Sequence, residues 1–203
     1  MSIPNPKQRW EERYSDDDYL YGTEPNTFLA ESVASTTPGE VLCVADGEGR
    51  NGVYLAGLGH RVTSVDLTEA GVAKAARLAA DRGVELTTIV ADLAEFDLGQ
   101  QRWDLIVSIF AHTPPVVRQR LHGAYHRALK PGGQVILEAY TPDQIGRGTG
   151  GPPNPELTMT LAGLETELVD LKIGHGAELV RPVIEGPGHT GDGAVVQVIA
   201  NRV

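Results

Sequence analysis

The stretch Asp46-Gly47-Glu48-Gly49-Arg50-Asn51-Gly52 lies between an apolar run, residues 41–45, and a helical pattern. It reads as a strand, a tight glycine turn and a helix start. Such a turn brings bare backbone N–H groups close to a ligand. A lone acid, Asp66, ends the next apolar run, where a carboxylate can accept from ribose hydroxyls. An adenosine-containing cofactor is therefore expected. The spacing Gly47-x-Gly49-x-x-Gly52 also matches the dinucleotide fingerprint, so the loop alone leaves two cofactors open.

The 203 residues fit one domain with a substantial core. Seventeen basic against 27 acidic residues give a net charge of −10, which disfavours a nucleic-acid polymer, since phosphate binding needs a basic face. A single cysteine, Cys43, excludes an internal disulfide and a multi-cysteine zinc site; inside an apolar run it reads as a buried, inert thiol. Residues 1–13 are polar, without the apolar segment of a secretory signal. No run approaches the ~18–20 apolar residues that span a bilayer. A soluble, cytoplasmic protein with no membrane partner is expected; the sequence leaves its oligomeric state open.

Strand and helix signals alternate across residues 40–140. Strands are expected at 41–45, 61–65, 84–90, 104–109 and 134–139, the fourth apolar throughout, as a strand covered on both faces should be. Helices are expected at 51–58, at 69–81 behind a Thr68 cap, and at 116–129 after Pro114-Pro115. Lys130-Pro131-Gly132-Gly133 reads as a stop and turn. Residues 1–35 form an N-terminal helical cap, with helices at 8–14 and 27–33. Residues 143–160, rich in Gly and Pro, form a loop over the site. A helix at 161–168 precedes a C-terminal hairpin region, 165–203, in which 169–184 and 194–200 are strands joined by the turn 185–193. The fold class is α/β, a doubly wound, seven-stranded, mostly parallel sheet closed by an antiparallel hairpin, in a single domain.

Five features in order extend the reading: Asp46–Gly52, Asp66, Asp92-Leu93 after the third strand, Lys130–Gly133 before the fifth, and the final hairpin. Together they resemble class I S-adenosylmethionine-dependent methyltransferases, which implies their Rossmann-like fold, with S-adenosylmethionine as cofactor and S-adenosylhomocysteine as product. Gly49-Arg50-Asn51 with Val53-Tyr54-Leu55-Ala56, Trp10…Tyr21-Gly22-x-x-Pro25-Asn26-x-x-Leu29, and His112-x-Pro114 are similar to the tellurite-resistance-type branch, related to thiopurine methyltransferases. On this reading Gly52 is an incidental match to the dinucleotide code. One departure stands out: the family's usual first-strand acid is replaced by Cys43, and Asp46 directly precedes Gly47. Asp46 then serves the cofactor's amino group from a shifted position, or backbone carbonyls hold that group.

The resemblance implies a cofactor site made of Ala45, Asp46, Gly47, Glu48, Gly49, Arg50, Asn51, Asp66, Leu67, Asp92, Leu93, Ser108 and Ile109. Arg50 is the candidate for the cofactor carboxylate, otherwise a surface arginine. Asp66 is assigned to the ribose diol, and Asp92 to the adenine amine or to a plain turn. Ser108 and Ile109 are expected beneath the sulfonium. Methyl transfer from a sulfonium relies mainly on alignment and desolvation. A thiol, or a selenium or tellurium oxyanion, needs no base. For a hydroxyl or amine His112 is the candidate base, with Tyr21 beside it. Trp10, Tyr21, His112 and Arg147 are the candidate substrate residues.

No metal is expected. His122 and His126 lack the Glu of His-Glu-x-x-His, and Asp16-Asp17-Asp18 lacks the glycine and distal glutamate of a calcium loop. His175 and His189 lie in or beside the hairpin and reach the substrate mouth only if its turn folds back. The leading reading is methyl transfer to a small molecule. Its alternatives are a nicotinamide-dependent oxidoreductase and a non-catalytic S-adenosylmethionine-binding module.

Overall fold

Val41 and Cys43 pack on one side of the first strand, Leu42 and Val44 on the other. That two-residue period sets the layers of the fold. The computed structural model describes residues 5–203; the first four residues of the expected N-terminal cap lie outside them. The chain runs α1 (Pro6–Arg13), α2 (Thr27–Val33), β1 (Glu40–Val44), α3 (Arg50–Gly57), β2 (Arg61–Asp66), α4 (Glu69–Asp81), β3 (Thr87–Val90), β4 (Trp103–Ile109), α5 (Pro115–Ala128), β5 (Leu129–Tyr140), α6 (Leu161–Glu167), β6 (Lys172–Ile184) and β7 (Thr190–Asn201). The seven strands form one sheet in the order β3-β2-β1-β4-β5-β7-β6. The first five are parallel, and β7 runs antiparallel to both β5 and β6.

One core layer joins Leu42, Val44, Ile106, Leu137 and Val198 to Leu121 and Tyr125 of α5 and Leu164 of α6. The other joins Val41, Cys43, Leu105, Val107 and Ile136 to Phe28, Leu29 and Val33 of α2 and Leu55 of α3. Trp103 is fully buried, and its indole N–H donates to the Leu98 carbonyl at 2.7 Å.

Three expectations change. The third strand is shorter than 84–90: the Val84 N–H caps the end of α4, donating to Ala79 O at 3.0 Å, so pairing with β2 begins only at Thr87. The Pro131-Gly132-Gly133 turn is a bulge inside β5. Trp103 pairs with Leu129 and Leu105 with Gln134, so the residues between are extruded, with Gly132 at φ 78°. The second hairpin strand starts at Thr190, which confines the turn to residues 185–189.

A buried ionic cluster joins the sheet, the hairpin and the N-terminal segment. Glu138, in mid-β5 and fully buried, accepts from Arg181 of β6 (Nε, 2.8 Å; Nη2, 2.5 Å), Gln197 of β7 (2.7 Å) and Asn26 (2.6 Å). Glu185, just past β6, accepts from Arg181 (2.9 Å), Asn26 (3.0 Å) and Arg50 (2.5 Å). Two carboxylates face two guanidiniums, so the buried charge cancels. The Asn26 side chain also caps α2 by accepting from Leu29 N, and the Asn26 backbone N–H donates to Asn51 Oδ1; both distances are 2.9 Å.

Breaking one partner of such a cluster leaves the others charged and buried. Glu138→Ala should therefore cost about 3–5 kcal/mol in unfolding free energy, read from urea denaturation. A loss under about 1 kcal/mol would mean that the cluster is mostly solvated.

Candidate functional site

The cavity opens over the carboxyl ends of β1 to β4, where a doubly wound sheet presents its loops. Its volume is about 660 Å³, a usual size for a small-molecule site. Ala45–Gly47, Asp66, Leu67, Val90–Ala94 and Ile109–Pro114 form its floor and sides. Trp10, Arg13, Tyr14 and Tyr21 close one side, and Gly150–Pro153, Leu157, Gly188 and His189 another. Ala45 and Phe110, the first residues after β1 and β4, both have left-handed backbone (φ 50° and 52°). Strain of that kind concentrates where a site dictates the chain path.

Gly49 caps α3 at φ 86°, with no side-chain cap, and a Cβ there would sit 2.5 Å from that of Ala75. Only glycine fits both conditions. Gly52 is also required. A Cβ on it would lie 2.5 Å from Asp46 Oδ2, which accepts from Gly52 N at 3.2 Å and from Ser64 Oγ at 2.8 Å. Glycine at 52 thus admits the Asp46 carboxylate to the first turn of α3. Burial, with Asp66 nearby, pushes the Asp46 carboxyl up to about 7 despite those two bonds. Cys43, where the family's acid was expected, is a buried thiol held well above its usual range by burial.

Asp66 ends β2 at the cavity floor. Its Oδ2 accepts from Gly47 N (2.9 Å), and its Oδ1 from Thr68 N (3.0 Å) and Thr68 Oγ1 (2.7 Å). Burial raises its pKa and these bonds oppose the rise. Thr68 Oγ1 in turn accepts from Gly71 N at 3.2 Å and caps α4, so Asp66 is spared that role. Asp92 also lines the cavity. One of its oxygens closes a turn with Ala94 N (2.8 Å), and among the described residues the other makes no hydrogen bond. The carboxylates of Asp46, Asp66 and Asp92, with the bare start of α3, suit a ligand that carries hydroxyls, an amine and positive charge. The residues present thus fit S-adenosylmethionine.

Other expected residues are placed differently. Arg50 lines the cavity but is bound to Glu185, whose carboxyl burial would raise and Arg50 and Arg181 hold below its usual range. Glu48 faces inward to the N-terminal segment, accepting from Leu20 N and Tyr21 N (both 3.2 Å) and pairing with Lys74 at 2.8 Å. Asn51 holds Asn26. Ser108 is outside the cavity wall: alternation turns it to the α5 side, beside Tyr125, while Ile109 lines the site. Arg147 is also outside, its Nε donating to Asp143 O at 2.8 Å within its own exposed loop.

His112 lines the cavity, but both ring nitrogens are engaged. Nδ1 bonds Leu157 O (2.8 Å), and Nε2 accepts from Tyr140 N (3.3 Å). Burial lowers its pKa to about 4. It therefore has no free lone pair to act as a base. His122 is bound to Glu167 at 2.6 Å, beside Arg118.

The hairpin turn does fold back. Gly188 N donates to Leu20 O at 2.9 Å, which brings His189 into the cavity wall. His189 packs tilted against Tyr21 (4.4 Å between ring centroids) and edge-on to Phe110 (4.7 Å), and among the described residues its buried Nδ1 has no partner. Burial, then Arg50, lower its pKa to about 3. His189, Phe110, Arg9 and Arg13 were missed from sequence. The signal for His189 was a histidine beside Gly186-Pro187-Gly188, a turn able to bend; the arginines lay in a polar helix with no motif.

Residues 41–133 match the family described as a methyltransferase domain. No curated protein matches the sequence. The chain is similar to a structure described as the conversion of a disulfide bond into a thioacetal group during echinomycin biosynthesis (TM-score 0.77, 21% identity, 98% of this chain and 92% of that one). It is also similar to TehB from Haemophilus influenzae (0.71, 18%, 97% and 67%) and to a SAM-dependent methyltransferase from Aquifex aeolicus (0.65, 19%, 97% and 98%). At these identities the likeness is one of fold. The match covers residues 41–133, a little under half of the chain, and supports S-adenosylmethionine as the cofactor. Of the two cofactors that the glycine loop left open, the sulfonium one is selected.

Between the usual carboxyl value of 3.8 and about 7, folded Asp46 keeps a proton that the unfolded chain releases. Stability should therefore fall as pH rises through that window, by at most about 1.4 kcal/mol per unit from this group. Asp46→Asn should flatten the decline in thermal midpoint between pH 4 and 7. An unchanged pH profile would mean that Asp46 ionises normally.

Proposed function

We propose that this protein transfers the methyl group of S-adenosylmethionine to a small-molecule acceptor, and that the acceptor atom is a soft nucleophile such as a thiolate or a selenium or tellurium oxyanion. The observation that carries the acceptor reading is the state of the histidines. His112 has both nitrogens committed, and His189 is held near pKa 3, too weak to deprotonate a hydroxyl or an ammonium near neutral pH. An acceptor that arrives ionised or highly polarisable needs neither. The N-terminal Trp10 and Tyr21 features shared with the tellurite-resistance-type branch support the same direction.

When bound, S-adenosylmethionine supplies an electrophilic methyl on a sulfonium, and S-adenosylhomocysteine remains after transfer. The chain's own residues bind, orient and exclude water. In this proposal Asp66 accepts from the ribose hydroxyls with the lone pairs left beyond Gly47 and Thr68, and Asp92 accepts from the adenine amine with its unengaged oxygen. Asp46 meets the amino group. Arg50 reaches the carboxylate only by sharing its guanidinium with Glu185. Ile109 and Phe110 pack beneath the reacting centre, and the aromatic side chains above the cavity keep water from it. The acidic net charge supports a small acceptor over a nucleic acid. Among the described residues no helix is long and apolar enough to cross a membrane. The proposal sets the reaction in the cytoplasm, where a lone buried cysteine has no disulfide to form.

Calorimetric titration with S-adenosylmethionine, S-adenosylhomocysteine and NAD tests the reading. Both sulfur nucleosides should bind, and NAD should not; NAD binding alone would refute it. Asp66→Ala should weaken S-adenosylhomocysteine at least tenfold, the scale of a lost charge-assisted hydrogen bond. Turnover of a phenol or an amine in preference to every thiol and metalloid oxyanion offered would refute the soft acceptor.

A further inference from the structure

Beyond β3 the chain makes a short irregular turn at the cavity edge. Residues 91–97 belong to no helix or strand, and Asp92 and Leu93 within them line the cavity. Asp92 O accepts from Glu95 N (3.0 Å) and Phe96 N (2.9 Å). The carbonyls of Leu93 and Phe96 receive no backbone N–H among the described residues. Arg120 of α5 takes both, donating from Nη1 to Leu93 O (2.9 Å) and from Nη2 to Phe96 O (3.0 Å). Among the described residues Arg120 has no carboxylate within 4.0 Å. In a chain of net charge −10, this cation is committed to two backbone carbonyls of one turn.

A guanidinium is a flat, rigid fork, so two of its nitrogens on two carbonyls fix the spacing and direction of both. Helix α5 is well placed to hold the turn. Pro114, just before it, and Val117 line the cavity, and Arg120 follows Val117 by three residues on the same face. One helix face thus borders the cavity and grips the turn from outside. What the turn presents is directional. Among the described residues Leu93 N donates to no acceptor, and one Asp92 oxygen accepts from no donor. An acceptor and a donor on adjacent residues match the edge of a 6-aminopurine, whose amine donates and whose neighbouring ring nitrogen accepts. A 6-oxopurine reverses both roles.

We propose that Arg120 is a positioning residue for the cofactor's adenine. By clamping Leu93 O and Phe96 O it fixes the angle at which Asp92 and the Leu93 N–H meet the base, and so sets the preference for a 6-amino over a 6-oxo purine. Arg120 itself touches neither the cofactor nor the reacting atoms. The inference rests on the methyltransferase reading and deepens its nucleoside site. Without the clamp the turn keeps its Asp92 bonds and the buried Leu93 side chain, so the base still binds. What loosens is the pairing geometry, and the mismatched base is then refused less strongly.

Calorimetry on the full chain with S-adenosylhomocysteine and S-inosylhomocysteine, its 6-oxopurine counterpart, tests this. The unaltered protein should favour the aminopurine by at least about tenfold. Arg120→Met keeps the apolar stem and removes the fork; it should cut that preference at least about threefold, the scale of one neutral hydrogen bond. Arg120→Lys, a point donor that holds one carbonyl at a time, should fall between the two. An unchanged preference in Arg120→Met overturns the inference. So does a fall in both affinities by one common factor, since the arginine then supports the fold alone. Should Arg120→Met fail to fold, an Arg120→Lys protein with the full preference overturns it equally, as does equal affinity for the two ligands in the unaltered protein. If S-adenosylhomocysteine does not bind the unaltered protein, the methyltransferase reading has failed. If it binds and is preferred, and Arg120→Met keeps that preference, only the present inference has.

Discussion

The carboxylate of Glu138 holds together parts of the chain that local structure would leave independent. It sits in the middle of β5, where a parallel strand covered on both faces is normally apolar, and it is fully buried. Such a charge is tolerated only when paired and hydrogen-bonded. Its partners come from Asn26, Arg181 and Gln197, and through Glu185 the cluster reaches Arg50 at the start of α3. The position of the N-terminal segment, the seating of the hairpin and the register of the cofactor loop are thereby linked. Hydrophobic residues of similar volume would often be as stable or more so. What the ionic cluster supplies is a fixed relation between the glycine loop and the hairpin turn, two sides of one cavity.

That relation also explains the placement of Arg50. Its position after the glycines suggested a free cation awaiting a carboxylate. Instead its guanidinium spans the gap between the cofactor loop and Glu185, four residues before His189. The Arg50 guanidinium is therefore tied to the turn that carries His189 into the cavity wall. Asp46 is a second compromise. It stands where it can stabilise the first turn of α3 through Gly52 and still face the cavity, and burial raises its pKa accordingly.

Local signals accounted for the sheet and for the cofactor end. The glycines, the acid closing β2 and the capping threonine each have a cause within a few residues, so period and turn chemistry revealed them. The hairpin and the helices were legible for the same reason, with errors where a long-range bond intervened: Val84 was claimed by α4, and the Pro131-Gly132-Gly133 turn was absorbed as a bulge. The opposite wall of the cavity was not legible. Phe110 depends on a left-handed residue after β4, His189 on a turn that bends back 168 residues after Tyr21's own loop, and Arg9 and Arg13 on the docking of a polar helix. Ser108 and Ile109 were separated only by strand alternation, which decides which of two neighbours sees the ligand.

Helix α1 contributes to the cavity wall yet buries none of its own residues. Polar links fasten it: the Asn5 side chain caps it by accepting from Lys7 N, and the Glu11 carboxylate accepts from Glu69 N and Ala70 N at the start of α4. Lifting it away would expose little core and would leave the ionic cluster intact, so its opening free energy lies far below that of global unfolding. A nucleoside held in the cavity would thus have an exit on this side that does not require the sheet to loosen. If release of the spent cofactor limits turnover, the opening of this helix would set the rate.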